Sequence, residues 1–345
     1  MLSRVADSLY WMSRYLERAE HTVRLIDVNM SLMLDEASTT ANLSLERRWR
    51  RVLACLGSPA EIAWSGDFYQ LTHDLTFSMR SHAAIVNCIA QARENARQVR
   101  DELSSEQWQQ LNRLYHHVTA AQREVNSYNA LTGFLPTVVY DLHQFQGVTD
   151  STMSHGEGWQ FIQLGRYIER AAATTRLLDV YHRESLEPPN GASAGYDFLE
   201  GAGMLRCCSA FEAYCNAYTA DFTPERITEF LLLNSDFPHS VRYSVDCLRS
   251  ALMAIGARSG LHVADELVRV SGRLQASLSF VDIDDVLSQD VGAYLSSILQ
   301  QCRQVHERVF RLYIQYSIQT ALAIDRKSTR LNSSHRIRSR MPSSA

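Results

Sequence analysis

Apolar residues recur every three or four positions along most of the chain, which is the spacing of amphipathic helices. Only 15 glycines and 7 prolines interrupt this pattern. No stretch shows the alternation of apolar and polar residues that is typical of a half-buried strand. The spacing therefore predicts an all-α protein. The predicted helices cover residues 2–35, about 81–103, 104–125, 157–183, 239–255, 261–279 and 284–324.

Helix-start signals support two of these boundaries. Ser104 and Gln107 stand in the capping-box arrangement, in which each side chain satisfies a free backbone N–H of the first turn. Thr223 followed by Pro224 has the order of an N-cap and a first helical residue, so it predicts one further helix start. Residues 149–158 are predicted to form a loop and residues 186–195 a linker.

One helical segment occurs twice. Residues 14–28 (RYLERAEHTVRLIDV) and 166–180 (RYIERAAATTRLLDV) agree at ten of fifteen positions, with an offset of 152 residues. A weaker match relates residues 76–88 to residues 232–245 around a short loop and a histidine. We therefore expect a single helical bundle over residues 1–324, built from two pseudo-symmetric halves of about 1–150 and 151–324.

The two copies of the repeated segment agree at their charged positions as well as they do at their apolar positions. On a helical wheel, the first copy places an apolar stripe opposite an arc of charged side chains. The second copy keeps most of that arc. The candidate site residues are Arg14, Glu17, Arg18, Arg24 and Asp27 and their counterparts Arg166, Glu169, Arg170, Arg176 and Asp179.

The charged arc has several interpretations. The simplest is a solvated face with the i,i+3 pairs Arg14–Glu17 and Arg24–Asp27. Retention in both copies instead favours arcs that are partly buried against each other as a structural Arg–Glu network. The same arginines would suit an anion or peptide-carboxylate site, because guanidinium groups bind such anions in a forked geometry. Acid–base catalysis by Glu17 or Glu169 is a further possibility.

The C-terminal residues differ in composition from the rest of the chain. Residues 326–345 contain six basic residues, including Lys327, the one lysine in the sequence, and no acidic residue. We interpret residues 325–345 as a disordered, non-native tail that resembles translated adaptor sequence; an ordinary basic tail is the alternative. Removing those six from the 34 lysines and arginines leaves 28 against 38 acidic residues. That acidic balance argues against nucleic-acid binding.

Composition and spacing also exclude several kinds of chemistry. No lysine before residue 327 is present to serve a phosphate loop or a Schiff base. The seven cysteines form no C-x-x-C pair, and His306-Glu307 lacks the second histidine of a zinc helix. We expect no metal and no cofactor. No apolar run reaches the roughly 18–20 residues that span a bilayer, and the N-terminus lacks a signal-peptide core, so a cytoplasmic protein without membrane contact is expected.

At the two Glu-Arg pairs, Glu17-Arg18 and Glu169-Arg170, the sequence resembles the alpha-E family of bacterial all-helical proteins. The resemblance extends over about residues 1–324, through segments such as 93–112, 158–171, 209–218 and 230–241. It implies an association with a circularly permuted ATP-grasp protein and often with a transglutaminase-like protein. ATP-grasp enzymes join a carboxylate to an amine through an acyl phosphate. The resemblance thus implies an accessory protein of an amide-ligase system, and the alternative is an enzyme acting on a peptide or amide through the Glu-Arg motifs.

Overall fold

A computed structural model describes residues 3–35, 41–186, 198–219, 221–259 and 265–315, and it is all-α in these ranges, with no strand. The all-α class is thereby confirmed. A 3₁₀ turn follows α4 at Arg100–Glu102, and a π-helical turn follows α14 at Phe310–Gln315. In chain order the helices are α1 Ser3–Asp35, α2 Ala41–Cys55, α3 Phe68–Phe77, α4 Ile85–Gln98, α5 Ser105–Glu124, α6 Tyr128–Thr152, α7 Glu157–Leu186, α8 Phe198–Cys207, α9 Phe211–Tyr218, α10 Pro224–Leu233, α11 Val241–Ser259, α12 Asp265–Ser279, α13 Ile283–Leu287 and α14 Val291–Val309.

The predicted helix starts are confirmed where side chains cap them. Ser104 Oγ accepts a hydrogen bond from the Gln107 backbone N–H at 3.1 Å, and the Gln107 side chain accepts one from the Ser104 backbone at 2.9 Å. The Thr223 hydroxyl accepts from the Arg226 N–H at the start of α10, with Pro224 as the first helical residue. Each cap satisfies a backbone donor that the helix itself leaves unpaired.

Among the predicted helices, the bounds of two differ most from those in the structure. The segment predicted as one helix over 284–324 is broken, because Asp290 accepts from the Ala293 N–H and starts α14 afresh after α13. The helix predicted from Ser81 begins at Ile85, since the Ser81 carbonyl accepts from the Asn87 side chain in the preceding turn. Residues 316–324, most of the predicted linker 186–195 and the tail 325–345 lie outside the described residues.

The two helices that carry the repeated segment, α1 and α7, lie against each other at the centre of the bundle. Helices α4 and α6 pack on α1, and α11 and α14 pack on α7. One apolar core extends from Ala6 to Tyr313. The wheel's apolar stripe is fully buried at Leu9, Met12 and Val23. Because neighbours surround α1, its charged arc is enclosed as well.

Candidate functional site at the crossing of α1 and α7

Where α1 and α7 cross, Gly165 of α7 lies close against Ser13 of α1. These residues are equivalent under the 152-residue offset of the repeat. A Cβ added at Gly165 would come closer than 3.0 Å to both Ser13 Oγ and the Tyr10 carbonyl oxygen. No side chain fits in that space, so glycine is required at residue 165 for the helices to cross at this distance.

Next to the crossing, the Glu-Arg pairs of the two helices bind each other reciprocally. Arg170 donates to both carboxylate oxygens of Glu17, at 2.5 and 2.9 Å. On the other side, Arg18 Nε donates to Glu169 Oε1 at 2.7 Å and Arg14 Nε donates to Oε2 at 2.7 Å. Glu17 and Arg170 are 5% and 6% exposed. The motif residues therefore form a buried network that fixes the register of α1 against α7.

The two motif glutamates nevertheless differ in protonation behaviour. Burial alone would raise the pKa of Glu169, but the charges and hydrogen bonds of Arg14 and Arg18 outweigh it and hold that pKa well below its ordinary value. At Glu17, burial raises the pKa, and the charge of Arg170 offsets this only in part because Glu20 lies nearby. The two pKa values differ because two guanidinium groups bind the Glu169 carboxylate, whereas one guanidinium group binds the Glu17 carboxylate.

The predicted i,i+3 pairs within α1 do not form. Arg14 reaches across to Glu169, and Arg24 instead pairs with Glu20 at 2.8 Å. Asp27, half-buried, has its pKa raised by burial. Arg14 finds its partner on α7, and Arg24 pairs one turn earlier on α1 with the buried Glu20. The interpretation as a solvated face was therefore wrong.

The candidate residues of the second copy other than Glu169 and Arg170 also have different side-chain partners from their first-copy counterparts. Asp179 pairs with Arg183 at 3.0 Å. Arg166 is buried and contacts the Gln163 side chain at 3.4 Å. Arg176 has no hydrogen bond or ion pair with any residue in the described ranges, although it is the counterpart of Arg24. The partner of Arg24 is Glu20, and residue 172 at the equivalent position is alanine.

A small, partly open cavity lies on the Glu17 side of the crossing. Both of its arginines are bonded to carboxylates, Arg170 to Glu17 and Arg24 to Glu20, so its fixed charges balance. A net cationic pocket was one interpretation of the motif, and this cavity does not have that charge. It is lined by Glu17, Glu20, His21, Arg24, Arg170, Ala173, Thr174, Cys207, Cys208 and His239.

Two histidines of the cavity stay neutral at pH 7. Burial, together with the charge of Arg176, lowers the pKa of His21 to about 4. Burial and the charge of Arg170 hold the pKa of His239 well below its ordinary value. The Nε2 atom of His21 is buried and has no hydrogen-bond partner among the described atoms. The cavity thus offers an unsatisfied imidazole nitrogen beside Glu17.

The cavity cysteines are poor nucleophiles. Burial raises the pKa of Cys208 to about 12 and that of Cys207 well above its usual range. A thiol reacts as its thiolate, which is scarce at neutral pH with such pKa values. Across the described ranges, no cluster of three or more histidine, cysteine or acidic side chains is arranged to hold a metal ion.

Sequence reasoning missed the most buried carboxylate of the site. Glu20 is 2% exposed and accepts hydrogen bonds from His143 and Gln146 of α6 as well as from Arg24. Burial would raise its pKa, but the His143 hydrogen bond and the Arg24 charge hold it well below its ordinary value. The repeat gave no signal for it, because residue 172 is alanine.

Comparison with known proteins agrees with the geometry of the Glu-Arg pairs. Residues 1–314 match Alpha-E, described as "a predicted alpha-helical domain with a conserved ER motif". The chain belongs to the Alpha-E family. Glu17-Arg18 and Glu169-Arg170 are thus two copies of an ER pair, and they bind each other across the crossing.

Curated relatives are longer proteins. The chain is 24% identical, over 322 aligned residues, to an uncharacterised protein of Mycobacterium bovis and to uncharacterised proteins from two strains of Mycobacterium tuberculosis. The match covers 86% of this chain but 35% of each relative. The chain therefore spans about a third of the length of these relatives. No solved structure matches it. No helix in the described part of the chain is both long and apolar enough to cross a membrane.

Proposed function

We propose that this Alpha-E protein is a non-catalytic accessory protein of an ATP-grasp amide-ligase system, which binds the ligase, its substrate or both. The ligase partner is a circularly permuted ATP-grasp protein, and a transglutaminase-like protein acts in the same system. The family resemblance suggests these partners. The observation that carries the accessory role is that both ER motifs are used to join α1 to α7. The buried ion pairs Glu17–Arg170 and Glu169–Arg18 that join them are called the clasp below.

The geometry of the clasp favours binding over catalysis. A general acid or base needs a carboxyl group that can exchange a proton near neutral pH. Glu169 is held ionised by Arg14 and Arg18, and both of its oxygens are occupied. Glu17 is bound through both oxygens by Arg170. Paired in this way, the glutamates stabilise the fold, and the surface remains available for a partner.

The length of the mycobacterial relatives supports a partner as well. In each of them, the region that matches this chain accounts for 35% of the protein. An Alpha-E region that occurs within a much longer chain is suited to working beside another domain. The partner's identity rests on the resemblance alone, so the direct test is physical association.

Co-expression tests the proposal. The Alpha-E protein carries an affinity tag, and a circularly permuted ATP-grasp protein and a transglutaminase-like protein of the same organism are expressed untagged. We expect the ATP-grasp protein to co-purify and to co-elute in size-exclusion chromatography at a fixed stoichiometry. Elution of the Alpha-E protein alone, together with full amide-ligase activity in its absence, would overturn the accessory role.

One observation favours the alternative, an enzyme acting on a peptide or amide. The cavity brings Glu17, with its raised pKa, together with the neutral rings of His21 and His239. Groups with shifted pKa values in one cavity are typical of catalytic sites. Under this alternative, purified protein releases or transfers amide groups without any partner. Glu17→Gln and His21→Ala would then remove that activity, whereas Glu94→Gln, on the exposed face of α4, would keep it.

A further inference from the structure

Arg14, Arg18 and Arg176 lie around one carboxylate on the Glu169 side of the crossing, and Arg303 lies near Arg176. Arg14 and Arg18 both bind Glu169. Arg176 lies two helical turns after Glu169 on α7, and therefore on the same face. Arg303 comes from α14, which packs on α7. Glu169 can neutralise one positive charge, so this cluster keeps a surplus of about three in the described part of the chain.

Neither of the two outer arginines, Arg176 and Arg303, forms a direct ion pair with a residue in the described ranges. Arg303 is exposed and has no hydrogen bond or ion pair with a described residue. Arg176 is half-buried and equally unpaired. Burial lowers the pKa of Arg176; the charge of Glu169 opposes this most strongly, and the charges of Arg18 and Arg303 add to the lowering. Two like-charged neighbours around a half-buried guanidinium are unfavourable unless an anion joins them.

The sequence of the repeat shows why Arg176 lacks the partner that Arg24 has. Arg24 and Arg176 are equivalent, but Arg24 has Glu20 one turn before it and Arg176 has Ala172. The second copy retains the arginine without its acid. A salt-bridge role explains Arg24 and does not explain Arg176.

Arg176 is held in place although no residue in the described ranges forms an ion pair with it. Its guanidinium rests against Gly57, at the turn that follows α2. A Cβ built on Gly57 would lie 3.7 Å from Arg176 Cζ, and the Gly57 φ of +82° favours glycine. His306, one turn after Arg303, contacts Arg14 Nη1 at 3.1 Å and ties α14 to the cluster. The Arg176 guanidinium, and the turn of α14 that carries Arg303, are therefore positioned before any ligand binds.

We propose that Arg176, Arg303 and Arg18 form a binding site for a phosphate group. A phosphate dianion matches a surplus of more than one positive charge better than a single carboxylate does. Its tetrahedral oxygens also suit several guanidinium forks at once. Arg176, Arg303 and Arg18 do not line the cavity beside Glu17, and the proposed site does not depend on the amide-ligase proposal.

Calorimetry and thermal unfolding of the full chain test the site at constant ionic strength. The probes are inorganic phosphate, phenyl phosphate, acetate and chloride. We expect both phosphates to bind and to raise Tm, while acetate and chloride do neither. Tighter binding of phenyl phosphate would identify a phosphate monoester as the ligand, and equal binding would identify free phosphate. Equal effects of all four anions, or stronger binding of acetate, would overturn the proposal.

Variants locate the binding. Arg176→Gln and Arg303→Gln should each weaken the Kd for phosphate at least about tenfold, which corresponds to about 1.4 kcal/mol. The matched controls are Arg183→Gln on α7 and Arg308→Gln on α14, which remove arginines already paired with Asp179 and Glu266. The controls should retain the wild-type Kd. Equal weakening in controls and site variants would show general charge attraction and refute the site.

A stability readout separates binding from a structural role. Without phosphate, Arg176→Gln should have a Tm equal to or above that of the wild type, because repulsion from Arg18 and Arg303 is relieved. A structural arginine would instead lower Tm when removed. Arg303 is exposed and unpaired in the described ranges, so Arg303→Gln tests the site without risk to folding. A Kd unchanged in that variant would contradict the proposed site.

Discussion

Glu17 and Glu169 occupy the same position in the two copies of the repeat, yet their pKa values shift in opposite directions. Two arginines hold Glu169 ionised, whereas Glu17 has one arginine and a second buried carboxylate, Glu20, close by. A motif therefore does not determine the behaviour of its residues; the neighbouring helices do.

Removing the Glu17 carboxylate should be costly. Glu17→Ala leaves Arg170 buried without its bidentate partner, and we expect a loss of about 3–5 kcal/mol in the free energy of unfolding. The control is Glu46→Ala, which breaks the largely exposed pair with Arg50 on α2 and should cost about 0.5 kcal/mol or less. Urea denaturation measures both. Similar small losses in the two variants would show that the clasp contributes little.

The buried histidines should make the fold sensitive to acid. The pKa values of His21 and His306 are lowered from 6.5 to about 4, mainly by burial. Between pH 6.5 and 4 the unfolded chain therefore binds more protons than the folded one, so stability falls as pH falls. Each histidine contributes up to about 1.4 kcal/mol per pH unit. His21→Ala should flatten the slope of unfolding free energy against pH, and His116→Ala, at an exposed position, should not. An unchanged slope in His21→Ala would contradict the burial of this ring.

At the level of the helices, the crossing depends on one glycine. Gly165→Ala places a Cβ against Ser13 and the Tyr10 carbonyl, which forces α1 and α7 apart. We expect a loss of about 1–3 kcal/mol or more, as for overpacking. Gly147→Ala on α6 is the control: its Cβ meets nothing within 4 Å, so the substitution should stabilise the helix by about 0.5–1 kcal/mol. Thermal unfolding distinguishes the two. Equal stability of both variants would mean that the helices do not cross at this residue.

Much of the helical layout could be predicted from the sequence, because periodicity and caps are local signals. The long helices α1 and α7 and the starts at Ser104 and Thr223 follow from them. The short helices α2, α3, α8 and α9 were not singled out, and α6 carries Pro136 in its interior, where helix propensity argues against a helix. Local sequence also favoured one helix across Asp290, whose capping role depends on the turn before it.

The site was predictable only in part, for a similar reason. Retained charges in both copies indicated buried arcs, and the structure encloses Glu17 and Arg170. Which partner each residue takes is a long-range property: Arg14 was paired with Glu17 from spacing and binds Glu169 instead. His143, which binds Glu20, lies on α6, a helix that the sequence pattern did not reveal.

On the scale of the whole molecule, further contacts support the proposal that the chain is a duplicated bundle. Thr22 and Thr174 are equivalent in the repeat. Thr22 donates to the Ala83 carbonyl before α4, and Thr174 donates to the His239 carbonyl before α11, at 3.0 and 3.1 Å. These two loops are the weaker sequence match. The long helices α1 and α7 thus each form a hydrogen bond to the loop that precedes a later helix of the same half, α4 and α11 respectively.

If the halves depend on each other, neither should fold alone. A cut in the loop between α6 and α7 gives fragments 1–154 and 155–345. Each fragment then exposes half of the clasp and the central faces of α1 or α7. We expect no cooperative thermal transition for either fragment, measured by circular dichroism, and a transition when the two are mixed. Two independently folding fragments would contradict a single core.

The central claim is that the ER motifs join α1 to α7, and a double-mutant cycle between Glu17 and Arg170 tests it most directly. Unfolding free energies are measured for the wild type, Glu17→Ala, Arg170→Ala and the double variant. The geometry of the pair, with two hydrogen bonds at 2.5 and 2.9 Å between residues about 5% exposed, predicts a coupling of about 2–3 kcal/mol. A coupling near zero, with both single variants as stable as the wild type, would show that the motifs do not hold these helices together.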